Sequence, residues 1–312
     1  MSLMSIPSFT NVGYWLHARD HESIDADLTG STVLVTGGTD GLGKAAAREL
    51  SAFGARLIVV GRTPAKLDRL QSEFPGHVEG IEADLGLMSE VRRVAESVLN
   101  GERRLDVLVN NVGVLLPERE ETDEGIEKTL AVDLAGPFLL TNLLVPMLVE
   151  SSPSRIVNVS SGGMYSQRIR PEDLENQRGT YSGAAAYARA KRGQVILTEM
   201  WAERLSGTGV TVHSMHPGWA RTGGVSSSLP VFNRLMKPFL RTPEQGADTI
   251  VWLAASREPA EVTGRFWFDR TEAPTHMVAS TRESDADRAS LWSRLVELTG
   301  EDFPAELPGA AS

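Results

Sequence analysis

The chain has 312 residues, 41% hydrophobic and 23% charged, a globular composition that excludes a fibrous or disordered protein. Lys and Arg number 31 against 41 Asp and Glu, a formal net charge of -10, and that negative field disfavours nucleic acid or anionic membrane as a partner. There is no cysteine, which removes disulfides, thiolate metal sites and cysteine nucleophiles together, and a reducing, cytoplasmic location is expected.

Residues 1–30 are mixed, with Phe9, Tyr14, Trp15 and Leu16 among polar neighbours. They predict a helical extension packed on the main body and ending before Gly30. Met1 to Asp20 shows no basic-then-apolar signal pattern. Beyond Gly30, short β-branched runs alternate with helical stretches. Strands are expected at Thr32–Thr36, Leu57–Val60, His77–Ile81, Leu105–Val109, Ile156–Val159, Val210–His213 and Arg265–Phe268. Helices are expected at Leu42–Phe53, Ala65–Glu73, Ser89–Leu99, Asp123–Val149, Ala184–Leu205 and Pro243–Ala255. Repeated βαβ units predict an α/β fold: one domain over residues 31–280, a single doubly wound Rossmann-type parallel sheet of about seven strands with helices on both faces. Within residues 281–312, Ala289, Leu291, Trp292, Leu295, Val296 and Leu298 predict an amphipathic helix, followed by a Pro-containing tail that frays. No run reaches the ~18 consecutive apolar residues of a membrane helix, so integral membrane association is not expected.

Directly after the first strand comes Thr36-Gly37-Gly38-Thr39-Asp40-Gly41-Leu42-Gly43-Lys44-Ala45-Ala46. Gly41-x-Gly43-x-x-Ala46 matches the dinucleotide fingerprint: the backbone must turn tightly, a pyrophosphate must approach its N–H groups, and the anion then sits at a helix N-terminus. The second strand leads into Gly61-Arg62. An acidic residue in this region would hold a ribose 2′-hydroxyl, whereas Arg62 suits a 2′-phosphate, so NADP is expected over NAD. Asp40 in the glycine turn works against that choice.

Tyr187 and Lys191 lie four apart in a helical run and so share one face. A phenol is a poor acid–base group at neutral pH, and a neighbouring ammonium would bring its pKa down. Ser160-Ser161 ends the fifth strand and Asn110-Asn111-Val112-Gly113 ends the fourth. All of these fall at carboxyl ends of strands, where open α/β sheets bind ligands.

In this order and spacing, these elements together with Asp84-Leu85 and Pro217-Gly218-Trp219-Ala220-Arg221-Thr222 resemble the short-chain dehydrogenase/reductase superfamily over roughly Ser31 to Phe268. The resemblance implies an NAD(P)-dependent oxidoreductase that interconverts a carbonyl and a primary or secondary alcohol by hydride transfer. It implies Tyr187 as proton donor or acceptor, Lys191 on the nicotinamide ribose and Ser161 on the substrate oxygen. Gly37, Gly41 and Gly43 would hold the pyrophosphate, with Thr39, Asp40 and Leu42 in the same turn. Asp84, beside Leu85, would meet the adenine, and Asn111, beside Gly113, the adenosine ribose region. Pro217, Gly218 and Thr222 would border the nicotinamide. One position departs from the pattern: the family's Asn in the helix after the fourth strand, thought to anchor a proton-relay water through its carbonyl, is Asp133. Its charge near Lys191 is expected to oppose a Tyr187 phenolate. Homo-oligomerisation through this helix and the one carrying Tyr187 is a further implication.

Other features invite blander readings. His213 and His216 flank Ser214-Met215 without a third ligand at suitable spacing, so no metal site is expected. The acidic run Glu118–Glu127 reads as a solvated helix start. Val225 to Leu240, rich in apolar residues, reads equally as a substrate lid or as packing, and as a lid it implies an apolar substrate. A cofactor-binding scaffold or sensor with little turnover is the competing function class, since fold does not fix function.

Overall fold

A computed structural model describes residues 6–221 and 236–308. The strands are β1 (Thr32–Thr36), β2 (Arg56–Gly61), β3 (Val78–Glu82), β4 (Val107–Asn110), β5 (Ser154–Val159), β6 (Val210–Met215), β7 (Arg265–Phe268) and β8 (Thr271–Glu272). They form one sheet in the order β3-β2-β1-β4-β5-β6-β7-β8, parallel throughout except for the short β8. The seven expected strands are present within a few residues. The eighth follows Asp269 and Arg270, which turn the chain back with positive φ of 49° and 55°.

Alternating side chains of each strand serve opposite layers. Leu34, Ile58, Leu108, Ile156 and Val212 join a core with α4 (Met88–Gly101), α5 (Lys128–Glu150) and α6 (Gly183–Arg204). Val33, Val35, Leu57, Val107 and Val157 face α2 (Gly41–Ala52), α3 (Pro64–Glu73) and α7 (Pro243–Ala255). Strands buried on both faces explain the near-continuous apolar runs.

Several expectations need correction. The N-terminal helix, α1 (Asn11–His17), packs on the body and ends before Gly30 as expected, but residues 21–28 of the extension are not helical. The acidic run does lead into a helix, with Glu127 as the N-cap of α5 accepting from Thr129 and Leu130, but Glu127 is buried rather than solvated, and Glu124 accepts hydrogen bonds from the Met88 and Ser89 amides at the head of α4. α5 is apolar and long enough to cross a membrane by composition, with a mean hydropathy of 1.7, but 89% of that window is buried inside the fold. The C-terminal helix α8 runs Asp285–Thr299 behind a Ser284/Asp287 capping box. Residues 300–308 after it pack rather than fray, with Arg92 holding Glu301 and Thr299, Trp292 donating to Asp302, and Phe303 and Leu307 against the core.

Candidate active site

Register sets the site. Val35 pairs with Val109, Asn110 with Asn158 and Val159 with Met215, so β1, β4, β5 and β6 end along one edge. Strand order reverses between β1 and β4, the switch point where doubly wound sheets bind ligands. A cleft of about 650 Å³ opens there, within the ~300–1,000 Å³ of ligand sites.

Of the residues singled out from sequence, Gly37, Thr39, Asp40, Gly41, Leu42, Arg62, Asp84, Leu85, Asn111, Gly113, Ser161, Tyr187, Lys191, Pro217 and Gly218 line this cleft. Gly43 sits behind the turn. A Cβ there would stand 2.4 Å from the Gly37 carbonyl and 2.5 Å from Asn111 Nδ2, so only glycine lets α2 begin this close to β1. Thr222 lies outside the described residues, as do 225–235 of the apolar segment; Leu240, at its far end, is buried. His213 and His216 gather no third ligand, and among the described residues no group of His, Cys, Asp and Glu could hold a metal.

At the entrance, Asp40 caps α2 by accepting from the Gly41 amide at 2.8 Å and pairs with Lys66 at 2.7 Å. Lys66 was not anticipated; its place one helical turn beyond Arg62 was the available signal. Arg62 stands 3.9 Å from Asp84. Asn111 has a supporting task as well, donating to the Thr36 and Gly37 carbonyls that shape the glycine turn.

At the inner end, Lys191 Nζ donates to the Val159 carbonyl at 3.0 Å, stands 3.7 Å from Asp133 Oδ2 and lies 5.6 Å from the centre of the Tyr187 ring. Asp133 occupies a π-helical turn, Ala131–Ala135, within α5; such turns widen a helix and often accompany sites. Its Oδ1 accepts from the Val114 amide at 2.7 Å, while Oδ2 has no hydrogen bond. Its carbonyl accepts from Gln194 Nε2 at 2.7 Å. Gln194, three residues after Lys191 on the same face, is a second residue that sequence reasoning missed.

Electrostatics at this end differ from expectation. Burial pushes Asp133 up to about 6, against the pull of Lys191, and it pushes Lys191 below the ordinary lysine range. Tyr187 is raised, not lowered: burial is the larger cause and the Asp133 charge adds to it, while Ser161 favours the ionised form. Lys191 is turned towards Asp133 and Val159, so its charge is spent there. The opposition between Asp133 and a Tyr187 phenolate is present as the sequence suggested.

The sequence profile for short chain dehydrogenase matches residues 31–230. Dehydrogenase/reductase SDR family member 12 of Homo sapiens is 34% identical over 302 residues, 95% of each chain. Retinol dehydrogenase 13 of Homo sapiens is 35% identical over 299 residues, 90% of this chain and 88% of that one. The solved Pseudomonas aeruginosa RhlG/NADP active-site complex superposes with a TM-score of 0.64 at 25% identity, over 78% of this chain and 96% of that one. With the profile spanning most of the chain and its motif residues gathered around one cleft, the chain belongs to the short-chain dehydrogenase/reductase family of oxidoreductases.

Proposed function

We propose that this oxidoreductase reduces an apolar carbonyl compound with NADPH. The observation that carries the reading is one cleft with Tyr187, Ser161 and Lys191 at its inner end and two cations, Arg62 and Lys66, at its entrance. Arg62 and Lys66 suit a 2′-phosphate, and the pairing of Asp40 with Lys66 blunts the carboxylate that would repel it. The glycine turn fits a pyrophosphate: Gly37 and Gly41 hold positive φ of 65° and 51°, leaving backbone rather than side chain at the cleft wall. Val114, Leu115, Trp219 and Ala220 also line the cleft and would give a substrate apolar walls, and several similar proteins are named as retinol dehydrogenases.

The bound nicotinamide supplies the hydride. The chain supplies the rest. The Ser161 hydroxyl donates to the substrate oxygen, and the Tyr187 hydroxyl holds the proton that this oxygen acquires. Burial and Asp133 keep that phenol protonated at neutral pH, the form reduction needs. Lys191 would hold the nicotinamide ribose, with Pro217 and Gly218 lining the same cleft.

Titration should show NADPH binding more tightly than NADH; equal affinities would defeat the NADP assignment. Tyr187→Phe should lower kcat on aldehyde and ketone probes by about 100-fold or more, with NADPH affinity kept. A variant retaining a tenth or more of native kcat, on the order of 1 kcal/mol in the barrier, would remove Tyr187 from the proton step. A second reading, a cofactor-binding scaffold or sensor, draws on the buried Asp133 charge beside the tyrosine, and absence of turnover across those probes with NADPH bound would favour it. Cytoplasmic placement rests on the cysteine-free composition; recovery in a membrane fraction would refute it.

A further inference from the structure

Residues 6–17 do not trail from the fold. A 3-10 turn at Ile6–Phe9 leads into α1, and this segment meets the loops that close the substrate end of the cleft. The Phe9 ring stacks on Trp219 with centres 5.7 Å apart, and lies 5.1 Å from the His216 ring and 5.4 Å from Phe268. The Trp219 amide donates to the Phe9 carbonyl at 2.7 Å. On the other wall, a Cβ on Gly162, next to Ser161, would stand 3.5 Å from Phe9 Cε1.

Arg241 fastens the same joint. Its buried guanidinium pairs with Asp269 at 2.5 Å and donates to the carbonyls of Ser8 at 2.6 Å, Thr10 at 3.2 Å and Pro217 at 3.4 Å. Its main chain bonds Trp219 and Arg221. His17 Nδ1 stands 2.7 Å from the same Asp269 carboxylate. A buried ion pair holds only where its remaining donors are satisfied, and two of the acceptors here come from the N-terminal segment. Gly218, with φ +72°, passes so close that a Cβ would stand 2.4 Å from Arg241 Nε. The loop that borders the cleft is thus clamped between Arg241 beneath and Phe9 beside it.

We propose that residues 6–17 form an intrachain strap in which Phe9 is a positioning residue for Pro217-Gly218-Trp219, setting the grip on the nicotinamide half of the cofactor and leaving the adenosine half alone. The nucleotide part of this inference rests on the NADP(H) reading; the loop part does not. Phe9→Ala should speed amide hydrogen exchange at 218–221 by about tenfold in the free protein, with β1 and β5 unchanged. It should weaken NADPH by roughly tenfold while 2′,5′-ADP, which lacks the nicotinamide half, stays within about twofold. Phe9→Leu should restore most of both effects; where Phe9→Ala does not fold, Phe9→Leu carries the comparison with smaller shifts of the same pattern. Native exchange at 218–221, or equal weakening of both nucleotides, would overturn the strap. A native chain that binds neither nucleotide would sink the NADP(H) reading, and the exchange measurement would then decide the strap alone.

Discussion

Asp133→Asn isolates one charge at the inner end of the cleft. Lys191 Nζ lies 3.7 Å from Asp133 Oδ2 and 5.6 Å from the Tyr187 ring centre. The carboxylate oxygen is therefore within about 9 Å of the ring, and at an effective dielectric near 20 a carboxylate and a phenolate at that separation repel by about 2 kcal/mol. That exceeds one pKa unit. Asn keeps the main-chain carbonyl that Gln194 holds and removes only the charge. Alcohol oxidation needs the phenolate as base, so its pH–rate profile should move at least about one unit to lower pH, with roughly a tenfold gain on the rising limb. Carbonyl reduction, which uses the phenol as acid, should change little. The assay is steady-state oxidation of a secondary alcohol from pH 7 to 10 in both proteins, with Tm confirming the fold. Because Tyr187, Lys191 and Asp133 titrate together, the profile reports apparent values for the cluster. Superimposable oxidation profiles would show that Asp133 acts through its carbonyl alone.

Lys66→Ala should weaken NADPH by about tenfold and leave NADH within about twofold, since a half-exposed ion pair with Asp40 contributes little to folding; isothermal titration checks both. Asp133 also predicts a pH dependence of stability. Its carboxyl is raised from 3.8 to about 6 in the fold, so its stabilisation is full below the unfolded value and is lost as pH rises through about 6, by roughly 3 kcal/mol. Urea unfolding of the native chain and Asp133→Asn across that window should show the difference, and parallel curves would refute it. Trp292→Ala should cost ~3–5 kcal/mol in the same assay, because that ring packs 4.9 Å from Phe138 and 6.4 Å from Trp201 in the core.

β1, β2, β4, β5 and β6 were legible because they are β-branched or apolar runs buried on both faces, β3 and β7 gave weaker signals, and the inner site was legible because its residues sit at strand ends or one helical turn apart. What sequence could not show depends on contacts between distant parts of the chain. Glu124 looks like solvated charge until the head of α4, 35 and 36 positions away, comes beside it. Arg241 meets Ser8 across 233 positions, and no periodicity announces it. The expected lowering of the Tyr187 pKa failed because burial of the phenol, which spacing does not show, is the larger effect and the Asp133 charge adds to it, while the Val159 carbonyl holds the Lys191 ammonium.

On the outer side of α5 and α6, the surface through which the family resemblance would join two subunits, α8 of the same chain lies across Phe138 and Trp201, and Arg288 ties it to Glu199 and Glu203. These covering residues follow every other strand and helix in chain order. Every strand and both underlying helices are synthesised first, so the nascent chain carries an aromatic face with nothing on it until translation reaches residues 285–299. A message truncated before Ser284 would then yield a product with its whole sheet and an uncovered seam, able to adhere to its own kind or to be captured by quality control. Removing α8 would therefore bare an aromatic face that the fold keeps covered.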